Sequence, residues 1–422
     1  MAGKSIQHFD SLLGKGLENG QQQKLRENFE FSTKSWLGEK IVSKFNDQVA
    51  GWEEKHGVER LSPGDILVSF QGQEVVVPLL EPNLLKELAN LGSLTIMKPK
   101  FEAKILKKLR EIDPGASIKD VCSLFNQREL LPPRNDGFRW QNFEFPESLG
   151  KPQKHFSLDF YSSDEPILPS SVMGEMIEYL TSAERLSREH AAAIIKVIAQ
   201  EREKYCPLKT QVKPGQIVWI GMDATERISR SKTSHKKQVP LILTLYTERE
   251  WHEALNIKKI YQLFRFVLTR LERVCFEAYH RGAVLCQAEL GLMFFLNPGT
   301  ISTLSRKYMD HTDIILPLAG TIKDYGRTFS HKRIIIRKHL EGWLNREIAR
   351  YTHHDEESID KYLEVFKSIT ILYIYGVPPL LMARILNRTM EVVKQHIDII
   401  ETFLGERQNL VSYLKTQGIK IP

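Results

Sequence analysis

From Leu271 to Phe403, apolar residues recur at three- and four-residue steps, in short runs broken by glycines. This period predicts helices rather than strands. Gly342 and Gly376 stand 34 residues apart and bring two such runs into register. Apolar helices, His331–Leu340 and Ser368–Tyr375, precede them. After them come Ile348-Ala349 and Met382-Ala383, then Ser358-Ile359 and Val392-Val393, then Leu363 and Ile397. The order is a helix, a glycine turn, a second helix with a small residue, a tight turn and a third helix with one apolar face. An earlier copy is built on Gly282, followed by Ala288–Leu296, Asn297-Pro298, Ile301 and Leu304, with turns two residues longer. Asn297 is placed to cap its last helix, and Pro298 takes the first helical position. The pattern predicts three tandem helix-turn-helix units. A 34-residue helical period is also that of tetratricopeptide arrays, which bind protein, so a helical-repeat scaffold stays open beside it. Against that scaffold, Trp343 stands alone and no Leu-Gly pair lies at matching places.

The N-terminal half alternates differently. Phe29, Trp36, Leu37, Ile41, Phe45 and Val49 predict helix over Gln21–Lys55. Ser62-Pro63-Gly64 opens a strand through Phe70, and Gln71-Gly72 turns it into a second strand, Val75–Leu80. Short helices follow over Leu84–Leu91, Phe101–Ile112 and Ser117–Leu124. Leu131–Ser171 carries six prolines and reads as an extended linker, with Phe138, Trp140, Phe143 and Phe145 for packing on a domain. Helices over Val172–Tyr179 and Ala183–Tyr205 come next, with Thr181 and Glu184 as a capping box. Strands Gln216–Met222 and Val239–Thr247 then lead into continuous helix. The fold class expected is mainly α with an α+β N-terminal half and tandem three-helix units at the C-terminus. Its parts are a small α+β domain (1–130), the linker (131–171), a helix-plus-hairpin middle domain (172–254), the helix-turn-helix region (255–404) and a tail (405–422).

Composition narrows the class. The 422 residues carry a net charge of +7, a mild basic excess that permits nucleic-acid binding without requiring it. The four cysteines form no C-x-x-C pair, so neither a zinc ribbon nor a disulfide framework is expected. Met1–Gly20 is too polar for a signal peptide. The apolar runs Leu290–Leu296 and Ile369–Ala383 are too short or too broken to span a bilayer. The expected protein is cytoplasmic, without membrane contact, metal or other cofactor.

Candidate chemistry concentrates on the third helices. In the first unit Thr300, Ser302, Thr303 and Arg306 are expected to face outward as base readers, with Lys307 on phosphate. Lys394 and Gln395 are the readers of the third unit, with Arg388 on phosphate. The matching face of the second unit is Glu357, Asp360, Lys361 and Glu364, whose carboxylates repel phosphate. That unit is expected to serve packing or dimerisation, which makes a homodimer a candidate partner beside double-stranded DNA. Arg327, Lys332, Arg333 and Arg337 before it are expected on phosphate, as are Arg230, Lys232, Lys236 and Lys237 in the loop between the middle strands. No Walker loop, nucleophile elbow or zinc-protease motif occurs, and no catalytic residue is assigned. The rival reading is a metal-dependent DNA-processing enzyme. It would centre on Asp223 at the end of a strand, with Glu248, Glu250 and Glu253 as nearby carboxylates.

The stretches GQIVWIGMD, VPLILTLYTE, RVCFEAYHRGAVLCQAELGLMF, GTIKDYGRTFSHKRIIIRKHLEGWLNREIARYTHHDEESIDKYLEVF and YGVPPLLMARILNRTMEVVKQHIDI resemble an uncharacterised prokaryotic domain-of-unknown-function family. The resemblance runs from about Met173 to Phe403 and is most specific over Gly320–Ala349. It implies a DNA-binding or regulatory protein, of the kind carried by mobile elements, and supplies no reaction or catalytic residues. Where the family pattern leads one to expect a Ser-Pro helix start in the second unit, this chain has Asp355-Glu356, which weakens a DNA role there. The expected function is sequence-specific DNA binding, as a transcription regulator or a mobile-element accessory.

Overall fold

The computed structural model describes residues 15–29, 35–79, 82–91, 94–125, 170–225, 237–255, 260–322 and 330–419. The chain divides into two compact units, residues 1–304 and 305–422. The Pro-rich linker of the sequence reading lies almost wholly outside the described residues.

In the first unit two helix pairs bury the periodic apolar residues of the N-terminal stretch. These are α1 (Leu17–Phe29) with α2 (Ser35–His56), and α6 (Ser170–Ser182) with α7 (Arg188–Tyr205). Ile41, Phe45 and Val49 of α2 meet Met176, Leu180, Ile194 and Ile198 in one core. The capping box expected at Thr181 does not form. Thr181 donates its hydroxyl to the Glu178 carbonyl and Glu184 pairs with Lys40, while Ser187 accepts from His190 N–H at 3.2 Å to start α7 five residues later than read. The intervening small helices are α3 (Pro82–Leu91), α4 (Leu94–Arg110) and α5 (Ile118–Phe125).

The two hairpins, assigned to separate domains by the sequence, share one antiparallel sheet. Strands β1 (Asp65–Phe70) and β2 (Gln73–Pro78) form the first hairpin, and β3 (Gln216–Asp223) and β4 (Gln238–Thr244) the second. The order is β2-β1-β3-β4, joined where Ile66 faces Ile217, and β5 (Ala283–Val284) pairs with the end of β3. Strand β3 is central and buried along nearly its whole length, which explains its unbroken run of apolar residues. Gln71 and Gly72 both have positive φ, as the two-residue turn between β1 and β2 requires.

Helices α8 (Glu248–Leu255) and α9 (Ile260–His280) follow β4, and α10 (Gln287–Phe294) follows β5. Helix α10 is buried on all sides. Its Glu289 accepts from Trp219 Nε1 at 3.1 Å and from Cys286 N–H at 2.6 Å, and pairs with Lys15. Helix α11 (Pro298–Thr312) runs across the division between the units.

In the second unit α12 (Ala319–Ile322) precedes α13 (Ser330–Leu340), α14 (Asn345–Thr352), α15 (Glu356–Ile374), α16 (Pro379–Ile385), α17 (Met390–Phe403) and α18 (Arg407–Thr416). One core joins α13 to α18, with Ile335, Ile348, Ile359, Phe366, Met382, Val393 and Ile400 at its centre. Two features depart from the sequence reading. The third helix of the second repeat and the first helix of the third are the single helix α15. The stretch read as a tail contains α18, whose Leu410 and Leu414 are buried in this core. The tail reading missed it because Gly405-Glu406 ends the preceding pattern and α18 offers the core only one face.

Candidate nucleic-acid interface

Three times the chain makes the same tight turn. At the end of α10, α14 and α16 a residue enters the left-handed region: Phe295 (φ 50°), His353 (φ 58°) and Asn387 (φ 50°). The next residue donates its N–H five residues back, Leu296 to Gly291 (2.9 Å), His354 to Ala349 (3.1 Å) and Arg388 to Ala383 (2.9 Å). The acceptor position is small in every copy, Gly291, Ala349 and Ala383, and in the first the following segment passes close by. A Cβ on Gly291 would stand 2.6 Å from the Leu296 carbonyl oxygen. One residue further on stands the first residue of a new helix start: Asn297, Asp355 and Thr389. The Asn297 carbonyl accepts the first helical N–H of α11. Asp355 Oδ1 takes Ser358 N–H at 2.7 Å, and Thr389 Oγ1 takes Val392 N–H at 3.4 Å. Asp355-Glu356 therefore makes a capped start in place of the expected Ser-Pro. The Ser358 N–H bond holds the Asp355 carboxyl below its usual range.

This turn aligns the copies better than Gly282 does. Ten residues after the small residue come Ile301, Ile359 and Val393, all fully buried. The expected outward positions then fall as follows. On α11, Gly299 and Arg306 are exposed, while Thr300, Ser302, Thr303 and Lys307 are half-buried. Thr303 donates its hydroxyl to the Gly299 carbonyl at 3.0 Å. On α15, Glu357, Asp360, Lys361 and Glu364 are exposed; Glu357 pairs with Lys361, and Asp360 accepts from Asn345. On α17, Lys394 is exposed and Gln395 half-buried, with Gln395 donating to Glu391 at 3.1 Å.

The basic side chains of α13 lie against neighbouring rings and carboxylates. Ile334, Ile335 and Ile336 of that helix are buried, so the basic side chains beside them lie across the helix's neighbours. Lys332 Nζ sits 4.9 Å over the Tyr362 ring, and the Arg333 guanidinium 5.6 Å over the Phe403 ring. Arg337 pairs with Asp313 and with Glu341. Arg388 is exposed, as that role requires. Lys237 lies 3.6 Å from Asp223. Arg327, Arg230, Lys232 and Lys236 lie outside the described residues. Sequence reasoning missed Arg346, Arg350 and Arg384, exposed on the second helices α14 and α16. Their signal was present: each stands beside or near the buried pairs Ile348-Ala349 and Met382-Ala383.

Asp223 is 8% exposed, and its Oδ1 accepts from both the backbone and the hydroxyl of Thr225 at 2.7 Å. Of the carboxylates proposed to join it, Glu250 is bound by both arms of Arg273 (2.5 and 2.8 Å) and Glu253 pairs with Arg249. Burial pushes the Glu250 carboxyl up, and Arg273 more than reverses that, leaving it below its ordinary value. Among the described residues no three His, Cys, Asp or Glu side chains gather into a metal-binding group. No described helix is long and apolar enough to cross a membrane.

The family model described as "Protein of unknown function (DUF1670)" matches residues 177–399, just over half of the chain, and takes in all three tight turns. No curated protein and no solved structure matches. With that span the chain belongs to the DUF1670 family.

Proposed function

We propose that this protein binds double-stranded DNA sequence-specifically through helix-turn-helix units, acting as a regulator of transcription or as an accessory of a mobile element. The observation that carries the reading is the thrice-repeated left-handed turn, each followed by a newly started helix that buries Ile301, Ile359 or Val393 on its inner face and leaves outer positions of its first turns exposed or half-buried. That geometry suits a helix entering a major groove. Helix α11 is the reader in this proposal. From Gly299 to Lys307 it carries no carboxylate, and its exposed Arg306 is long enough for a guanine edge. Lys394 and Gln395 read beside it from α17, and Arg388, Arg346 and Arg350 join the basic side chains of α13 in the phosphate role.

The test is selection of a duplex from a random pool, followed by titration on selected and random DNA at two salt concentrations. Arg306→Ala is expected to cost about 1–3 kcal/mol on the selected duplex and little on random DNA. Arg388→Ala is expected to weaken both alike and to lower the salt slope by about one. Failure to enrich any duplex at low salt would end the proposal.

A second reading has its own support. Counted in pairs, α13-α14, α15-α16 and α17-α18 are each two helices about a glycine of positive φ, Gly342, Gly376 and Gly405. Two helices per repeat is the plan of a protein-binding solenoid. Under this reading the partner is protein, a second copy of the chain included, and DNA binding is absent at every salt concentration.

A further inference from the structure

Helix α16 is aliphatic on its outer face. Met382 and Ala383 are buried in the core of the second unit. At about 100° per residue, Leu380, Arg384, Leu381 and Ile385 follow one another over an outer arc of about 140°. All four are exposed. The repeat does not require leucines there, because the matching face of α14 carries Arg346, Glu347 and Arg350. Clustered aliphatic side chains on an exposed face mark a contact with another molecule.

Charge says what covers this face. No Asp or Glu occurs from Val365 to Met390, while Arg384 lies between the leucines and Arg388 stands exposed beyond them. The Arg384 guanidinium has no ion-pair or hydrogen-bond partner among the described residues. Two such faces set against each other would oppose Arg384 to Arg384. The covering surface is therefore acidic, with an apolar residue of its own. The start of α15 is such a surface. Glu356, Asp360 and Glu364 are exposed and share an arc of about 80°. The side chains of Glu356 and Glu364 are likewise without a partner among the described residues. Asp360 accepts from Asn345 Nδ2 at 2.6 Å, which brings the preceding residue, the exposed Leu344, beside this stripe.

We propose that two copies of this chain meet head to tail, the outer face of α16 in one seated on the start of α15 in the next. Leu380, Leu381 and Ile385 pack on Leu344, and Arg384 faces the carboxylates of Glu356, Asp360 and Glu364. The two surfaces differ, so the contact is heterologous and copies add in a row instead of closing as a symmetric pair. Three aliphatic side chains make a small centre, which places the contact in the weak class below about 1,200 Å². It gives the protein-binding reading above a definite partner and does not need that reading to exclude DNA.

Light scattering of the full chain without DNA tests this, from about 1 to 200 µM protein in about 50 mM salt. The mean mass of the parent is expected to rise with concentration beyond two chains. Arg384→Glu and Glu364→Lys each change an exposed side chain outside the core, so both should keep the parent's denaturant midpoint at about 1 µM. Each alone should stay monomeric up to about 200 µM. Mixed in equal amounts they should associate again, because each keeps one native face and the two changed charges are opposite. A parent that stays monomeric at about 200 µM overturns the proposal. So does Glu364→Lys associating like the parent, which would mean that α16 meets some other surface. A mixture that stays monomeric overturns it as well. With no DNA present, these outcomes bear on the contact alone, and the duplex titration above decides between the two readings.

Discussion

The second and third repeats of the C-terminal unit share a backbone and differ in their exteriors. Gly342 and Gly376 end the first helix of each with φ of 89° and 68°, in a region closed to most side chains. In each, the residue after the glycine donates five residues back, Trp343 to Lys338 at 3.1 Å and Val377 to Leu372 at 3.0 Å. Ile348 and Met382 are equally buried. Outside, α14 presents Arg346, Glu347 and Arg350, while the same positions of α16 are Leu380, Leu381 and Arg384. Leu380 is 55% and Leu381 47% exposed, as is Ile385 at 55%. The third helices differ in the same way, α15 acidic and α17 mixed. The inward residues define the repeat, and the outward residues are free to diverge. Likeness of fold between the two therefore carries no likeness of task.

The largest effect should come where the repeats are joined. Phe366 of α15 is fully buried in the core common to both. Phe366→Ala is expected to cost about 3–5 kcal/mol. Amide exchange should rise in α14 and α17 together. Exchange rising in one alone would mean that the repeats unfold separately.

Next in size is a difference in acid response. His396 in the third repeat occupies the position that Tyr362 holds in the second. Burial pushes the His396 pKa down to about 4 from 6.5; its Nδ1–H donates to the Val392 carbonyl at 2.7 Å. The folded value lies below the unfolded one, so the unfolded chain binds the proton more tightly. The stability tied to a neutral His396 is complete above about pH 6.5 and is lost as pH falls through 4, by about 3 kcal/mol at most. Urea midpoints at pH 7.5 and 4.5 should therefore separate less in His396→Tyr than in the parent. Equal separation would remove His396 as the cause.

Smaller again are the helix starts. Asp355 caps α15 at 2.7 Å with a full charge near the helix N-terminus, and Thr389 caps α17 at 3.4 Å with a neutral hydroxyl. Asp355→Ala should cost about 1–2 kcal/mol and Thr389→Ala about 0.5–1 kcal/mol, read from denaturant midpoints. A reversed order would show that the caps carry other interactions. The smallest effect is expected from copying one exterior onto the other. Leu380→Arg with Leu381→Glu should leave stability within about 0.5 kcal/mol. A large loss would show that these exposed leucines support the fold.

Periodicity made the helices and both hairpins legible, because burial on one face leaves a regular mark on the chain. It also placed Ile301, Ile359 and Val393 on the inner face. What it missed depends on contacts between distant residues. The pairing of Ile66 with Ile217 brings together hairpins about 150 residues apart, and no local pattern records that. The glycines drew attention to another turn: the one that sets the third helices uses Phe295, His353 and Asn387, and although His and Asn take a left-handed backbone more readily than most residues, Phe does not, so residue type alone does not mark the repeat. For the candidate interface, the exposed Arg306, Arg388 and Lys394 were legible as outward positions. The engagement of Lys332, Arg333 and Arg337 was not, since it depends on rings and carboxylates from other segments.

Helix α15 belongs to both repeats, and this sets an angle as well as a contact. Its 19 residues make a rod of about 28 Å, and each residue turns the chain by about 100°. The direction in which α17 faces relative to the start of α15 is thus a rotational phase counted in residues. One residue inserted near Lys367 would swing everything after it by more than a quarter turn and advance it by about 1.5 Å. Substitutions along α15 leave that phase intact, so the helix should tolerate changes of side chain far better than changes of length.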